Sequence, residues 1–350
     1  MSDNTNIEWT DASWPVVTGC THISSGCDHC YAAKLTSGRL KHQVAYAGLA
    51  TAGKFTGEIR LLPDRLDWPL HWRKPRKIFV SDMADLFHQD VPDEYIARVF
   101  AVMAATPRHT YQVLTKRHAR LRALLSSESF PVLVRNRMFE INPYAGQMAG
   151  PDHRPAWPLP NVWLGVSAEN QHWADIRIPA LVETPAAVRF LSCEPLLGPV
   201  DLSAWMPPGI ARWQCGGCKR FYSGPLQKTC PGCGRVGYWC GSHKGNGRPG
   251  EQPLGWVIVG GESGPGARPM IPDWARELRD QSTAAGVPFF FKQWGAWAPT
   301  GAFGIGGHDP RRGFVGEPKD PHGCREEIAR VGKKAAGRLL DGREWNEYPA

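Results

Sequence analysis

Short apolar runs recur along the chain, and polar residues crowd just after each of them. Ile78–Ser81, Tyr111–Thr115, Val162–Val166, Val188–Ser192, Trp256–Val259 and Pro288–Lys292 are such runs, and Trp14–Thr18 is a weaker seventh. Most are continuous rather than alternating, the pattern of parallel strands covered on both faces. Segments of helical periodicity lie between them. Pro92-Asp93-Glu94 opens Tyr95–Ala105, which stops before Pro107, and Pro272-Asp273 opens Trp274–Ala285, closed by Gly286. Strands alternating with helices predict βα units, and about seven strands predict a full or partial (β/α) barrel. In such barrels the chemistry sits at the carboxyl ends of the strands.

Two stretches break the pattern. Residues 137–160 are rich in Pro, Asn and Gly and read as an inserted loop. Residues 208–253 hold clustered cysteines and many glycines and read as an inserted mini-domain. The expected organisation is a first barrel part over 1–207, the insert at 208–253, the last strands over 254–300 and a tail over 301–350. The Gly/Pro-rich part of that tail, 301–321, is expected to be irregular.

Composition narrows the class. A hydrophobic share of 42% over 350 residues suffices for a packed core and excludes a disordered chain. Lys plus Arg is 41 against 33 Asp plus Glu, hence +8, which leans toward an anionic partner such as nucleic acid. The polar N-terminus lacks an apolar signal region, and no apolar run is long enough for a bilayer, so a cytoplasmic protein with no membrane association is expected. In that reducing compartment ten cysteines point to metal rather than disulfides.

The cysteines fall into two constellations. Cys20, Cys27 and Cys30 are separated by six and two residues and followed by Tyr31. Three thiolates can hold three irons of a [4Fe–4S] cube and leave the fourth open to a small molecule. Zinc bound by the same cysteines with His22 or His29 is the competing reading. Cys215-x2-Cys218 and Cys230-x2-Cys233 have the spacing of a zinc ribbon, with a second iron–sulfur site as the alternative. Lys219, Arg220, Tyr222, Lys228 and Arg235 around them suit nucleic-acid contact or a solvated surface equally.

The remaining candidates are strand-end residues. Asp82 and Asp85 follow the second strand and suit either a ligand or a helix cap. Lys116, after the third, suits a carboxylate or phosphate, and Glu169 follows the fourth. Cys193 and Glu194 follow the fifth; Cys193 is a reactive thiol, a hydrogen-atom donor or a buried structural cysteine. Gly260, Gly261, Glu262 and Ser263 form either a tight turn or a ligand cradle, with Glu262 suited to an amine or ribose hydroxyls.

These residues together resemble the phage Gp37/Gp68 protein family, also called the DUF5131 family. The resemblance runs through Ile7-Glu8-Trp9-Thr10-Asp11, Gly26-Cys27-Asp28-His29-Cys30-Tyr31-Ala32, Gln112-Val113-Leu114-Thr115-Lys116-Arg117, Ser192-Cys193-Glu194-Pro195, Gly260-Gly261-Glu262-Ser263-Gly264-Pro265 and Phe290-Phe291-Lys292-Gln293-Trp294-Gly295. It departs at Pro15-Val16, where Asn-Pro is expected, and at Ser25, where Pro is common. The resemblance implies a radical S-adenosylmethionine (SAM) type barrel, a cluster on Cys20, Cys27 and Cys30, and a link to phage or mobile DNA. The resulting expectation is an enzyme that generates a 5′-deoxyadenosyl radical and acts on a nucleic acid or nucleobase, fed by an external electron donor. Its site would comprise Cys193, Glu194 and Lys116 for catalysis. Asp82, Asp85, Glu169, Gly260, Gly261, Glu262 and Ser263 would bind the cofactor, and the four later cysteines would hold zinc. The alternative is a non-catalytic, zinc-dependent nucleic-acid-binding protein.

Overall fold

The structure, a computed structural model, describes residues 5, 7–141, 156–206, 254–300 and 326–350, with the strand segments 211–215, 221–224, 237–242 and 312–315. Its centre is one parallel seven-stranded sheet: β1 (Ala12–Trp14), β2 (Lys77–Val80), β3 (Thr110–Thr115), β4 (Val162–Ser167), β5 (Val188–Cys193), β6 (Trp256–Gly260) and β7 (Phe289–Gln293). Spatial order equals chain order, so the sheet never reverses direction. A singly wound sheet puts its helices on one face and curls around the other. Here it closes partway, into a half-barrel whose edge strands β1 and β7 do not pair.

The register sorts the strand residues into two faces. Ile78, Val80, Tyr111, Val113, Leu164, Val166, Leu191, Val257, Val259, Phe289 and Phe291 pack outward into one large core. That core also takes Ile96, Val99, Phe100 and Met103 of α2 (Asp93–Ala105), Leu121 and Leu125 of α3 (His118–Leu125), and Phe130, Val134 and Met138 of α4 (Ser129–Ile141). Ala174, Ile178 and Leu181 of α5 (Gln171–Val182) and Ala275 and Leu278 of α6 (Pro272–Ala285) complete it. The intervening residues face inward, and Phe79, Phe190, Trp256, Ile258 and Phe290 gather around Trp9 into a separate core with no helix residue. This is why the strands read as unbroken apolar runs: both faces are covered, by different partners.

The structure sharpens several boundaries. The weak first strand is two pieces: β1, and Val17–Thr18, which pairs antiparallel with Arg60–Leu61. The presumed loop from 137 onward begins inside α4, whose buried Phe130, Val134 and Met138 recur every four residues through Ile141. Helix α6 ends at Gly286, whose φ of 67° is the left-handed cap that glycine permits. The tail is not uniformly irregular, since Arg312–Val315 and Trp297–Pro299 flank Glu326–Arg330 in a three-stranded sheet. Nor does the chain end loosely: Phe291 N–H donates to Trp345 O at 3.0 Å, and Glu347 N–H to Phe289 O at 3.2 Å, covering the β7 edge. Within the insert, Ala211–Cys215 pairs antiparallel with Phe221–Gly224 and with Gly237–Ser242, and among the described residues these strands form a sheet of their own. No described helix is long and apolar enough to cross a membrane.

Candidate functional site

The cysteine loop is laid over the carboxyl ends of the strands by glycines where the backbone leaves no room. Gly19 has φ of +86°, and a Cβ there would lie 2.1 Å from Glu58 O. Gly26 lies so close to Glu169 that a Cβ would meet Oε1 at 2.3 Å. Between them the chain delivers Cys20, and a short turn then closes with Cys27 N–H on Ser24 O at 2.8 Å. Cys30 is the residue before α1 (Tyr31–Ser37). All three thiols are free and partly buried.

The ends of β2, β3, β4 and β6 support this loop. Asp85 is saturated. Its Oδ1 accepts from Thr115 Oγ1 at 2.7 Å and Phe87 N at 3.0 Å, and its Oδ2 from Lys116 N and Arg117 Nη1, both at 3.0 Å. It thereby aims Arg117, whose Nη1 reaches Cys20 Sγ at 3.6 Å and whose Nη2 donates to Thr21 Oγ1 at 2.5 Å. Burial pushes the Cys20 thiol up to about 11, helped by the Asp85 charge and opposed by Arg117. Burial also raises Cys30, opposed by the N–H groups of Ala33 and Ala32 in the first turn of α1.

Glu169 is wholly buried. Its Oε1 accepts from Ser24 Oγ at 2.6 Å and faces Lys116 Nζ at 3.1 Å, while its Oε2 faces Arg177 Nη1 at 3.1 Å. Burial alone would raise this carboxyl; Lys116, Arg177 and Ser24 outweigh it and hold it below the usual glutamate value. Glu262 is gripped by Arg268: Nη2 to Oε1 at 2.7 Å, Nε to Oε2 at 3.0 Å and the backbone N–H to Oε2 at 2.8 Å. Arg268 then extends to Ser25 O at 2.8 Å and Asp28 Oδ2 at 3.0 Å, tying the end of β6 to the cysteine loop. Glu194 pairs with Lys292 at 2.8 Å and accepts from Ser192 Oγ at 3.0 Å.

Asp82 differs from these carboxylates in having no ion pair among the described residues, and its Oδ1 finds no hydrogen-bond partner there. Burial pushes its carboxyl up to about 6 despite the Ser13 hydroxyl. It follows Ser81, held at φ of 57° with its own buried Oγ unpartnered. Tyr31 donates to Asp82 O at 2.5 Å. Tyr31 is 52% exposed as a residue, yet desolvation, followed by Asp82, Cys30 and Glu194, pushes its phenol well up.

Other sequence candidates land elsewhere. Cys193 faces the helix layer, fully buried with Leu191 and Val259, and burial pushes its thiol far up; it is a core thiol rather than a rim group. Gly261 is required by packing, since a Cβ there would lie 1.9 Å from Trp294 O. Gly260 faces Glu194, and Ser263 Oγ accepts from Gln293 Nε2 at 3.2 Å. Cys218, Cys230 and Cys233 lie outside the described residues, as does the side chain of Cys215. Arg177, Arg268 and Ser24 were not singled out from sequence. Arg177 carried a signal, because it falls on the buried stripe Ala174, Arg177, Ile178, Leu181, where a charge needs a reason.

A cavity of about 530 Å³ opens at the opposite end of the strands, among Lys77, Thr110, Asn161, Trp163 and Tyr348, away from the cysteines. Among the described residues no three His, Cys, Asp or Glu side chains converge to hold a single metal ion. A cube spreads its three thiolates over three irons, so it requires neighbourhood rather than convergence. Half-buried thiols flanked by Arg117, Lys116 and the α1 N–H groups suit an anionic cluster in both charge and donor type.

The fold and this rim define a singly wound parallel half-barrel with a cysteine-bearing loop over its carboxyl end. Over residues 4–349 the chain matches the family described as "Protein of unknown function (DUF5131)", and it belongs to that family. No curated protein and no solved structure matches it.

Proposed function

We propose that the protein is a radical SAM enzyme whose [4Fe–4S] cluster is held by Cys20, Cys27 and Cys30, acting on a nucleic acid or nucleobase. One observation carries this reading. The three thiols occupy the loop after the first strand, over the carboxyl mouth of a parallel half-barrel, among cationic and N–H donors. When bound, the cluster would supply an electron from an external donor to cleave the SAM sulfonium and release a 5′-deoxyadenosyl radical.

The chain's residues divide the remaining work. Asp85, Glu169 and Glu262 are spent on holding Arg117, Lys116, Arg177 and Arg268, and so on fixing the loop. Asp82, with its unpartnered Oδ1, is the carboxylate best suited to a ligand ammonium or ribose hydroxyls, while Glu194 is already paired with Lys292. The aromatic core below closes the barrel floor and keeps water from the reacting end. The excess of +8 favours a polyanionic substrate. Cys215, Cys218, Cys230 and Cys233 are assigned to a structural zinc ribbon, which metal analysis of the insert variants would test.

Anaerobic reduction of the cluster-loaded protein with SAM should yield methionine and 5′-deoxyadenosine. The yield should vanish in Cys27→Ala and fall in Asp82→Asn. A loaded, reduced wild type that neither binds nor cleaves SAM, with candidate nucleic acids present, contradicts the assignment.

A further inference from the structure

Arg177 is a wholly buried guanidinium on the core stripe of α5. Nη1 is committed, donating to Ser167 O at 2.7 Å and to Glu169 Oε2 at 3.1 Å. Nε and Nη2 have no hydrogen-bond partner among the described residues. The Cζ atom lies 4.0 Å from the centre of the Trp173 ring, which covers the guanidinium face without satisfying its in-plane N–H groups. A buried charged donor left unpaired is costly, so its persistence calls for an acceptor.

The local charge is also unbalanced. Asp85 answers Arg117, but Glu169 alone answers both Lys116 and Arg177, leaving one buried positive charge in excess. The cysteine loop adjoins this ion pair through Glu169. The Glu169 carboxylate that holds Arg177 also holds Ser24 and abuts Gly26, the residue before Cys27. Burial works against the Arg177 charge, while Glu169 first and then Cys27 work for it.

Building on the proposed cluster, we propose that Arg177 sets its reduction potential, its unpartnered Nε and Nη2 supplying N–H donors to the cluster sulfurs. Reduction adds one electron, taken from the external donor, and transfers no proton. The added negative charge strengthens the N–H···S bonds and the attraction to the guanidinium, so Arg177 favours the reduced form.

The test is redox titration of anaerobically loaded wild type, Arg177→Met and Arg177→Lys with dithionite, followed by EPR. Arg177→Met should make the midpoint more negative, by about a tenfold fall in the reduced-to-oxidised ratio at fixed potential, or ~59 mV for one electron. Arg177→Lys keeps the charge and loses the fork, so it should recover part of the shift. It should also lose those exchangeable-proton couplings of the reduced cluster that the guanidinium contributes. If the Met variant does not fold, the Lys variant decides: an unchanged midpoint with its proton couplings retained overturns the inference. A wild type that binds no iron contradicts the cluster assignment itself and is thus a separate failure.

Discussion

The two ends of the half-barrel solve opposite problems. At the floor, Trp256 meets Trp9, Trp163, Phe190, Phe290 and Tyr348 ring to ring, with centroids 5.3–6.2 Å apart. At the mouth, the same strands end in Asp85, Glu169, Glu194 and Glu262, each buried or nearly so and each matched to a cation. Aromatic burial is cheap and nonspecific, whereas buried ion pairs at best roughly offset their own desolvation. A chain that accepts such pairs around one loop is using them for geometry rather than stability. The floor holds the fold together, and the mouth holds the cysteines in place.

The largest expected effect breaks the floor. Trp256→Ala should cost about 3–5 kcal/mol in denaturant unfolding, as large aromatic truncations do. Iron per folded molecule should stay unchanged. Loss of iron in protein that remains folded would show that floor and mouth are not separable.

Next comes Asp82, a group at the mouth held at a cost to stability. Its carboxyl titrates higher in the fold than in the unfolded chain, so the folded state holds the extra proton between the ordinary aspartate range and about pH 6. Stability therefore falls as pH rises through that window. Asp82→Asn should be more stable than wild type at pH 7, by on the order of 2–3 kcal/mol, with the gain fading toward pH 4. Urea midpoints at both pH values check this; a variant weaker than wild type at pH 7 would mean that a cation in the fold stabilises the Asp82 charge.

The smallest effect on stability should come with a large effect on the loop. In Gly26→Ala the new methyl must displace Glu169, at a cost of about 1–3 kcal/mol. Iron retention should drop well beyond what that loss of stability explains. A variant with normal iron content would show that the Glu169 contact does not position Cys27.

The sequence made the strands legible because both faces of each are apolar, and it made α2 and α6 legible because Pro, acidic residues and Gly mark their ends. Helix α4 was hidden by the Pro/Asn/Gly-rich residues just beyond it, and by a buried stripe only three residues long. The rim was legible as a set of positions but not as a set of roles. That Asp85 and Glu262 are saturated while Asp82 is not depends on Arg117, Arg268 and Ser13, brought in from other strands and loops. Cys193 followed a strand as a rim residue should, but a shift of one position along a strand reverses the face, and it lies in the helix-side core.

The central claim is that the mouth is built to hold an iron–sulfur cube on three thiols. It is tested most directly by anaerobic iron and acid-labile sulfide analysis of the wild type beside Cys20→Ala, Cys27→Ala and Cys30→Ala. The account predicts about four iron and four sulfide per chain in the wild type and loss of both in each variant. A folded wild type that carries zinc alone, with no iron or sulfide after anaerobic reconstitution, would contradict it.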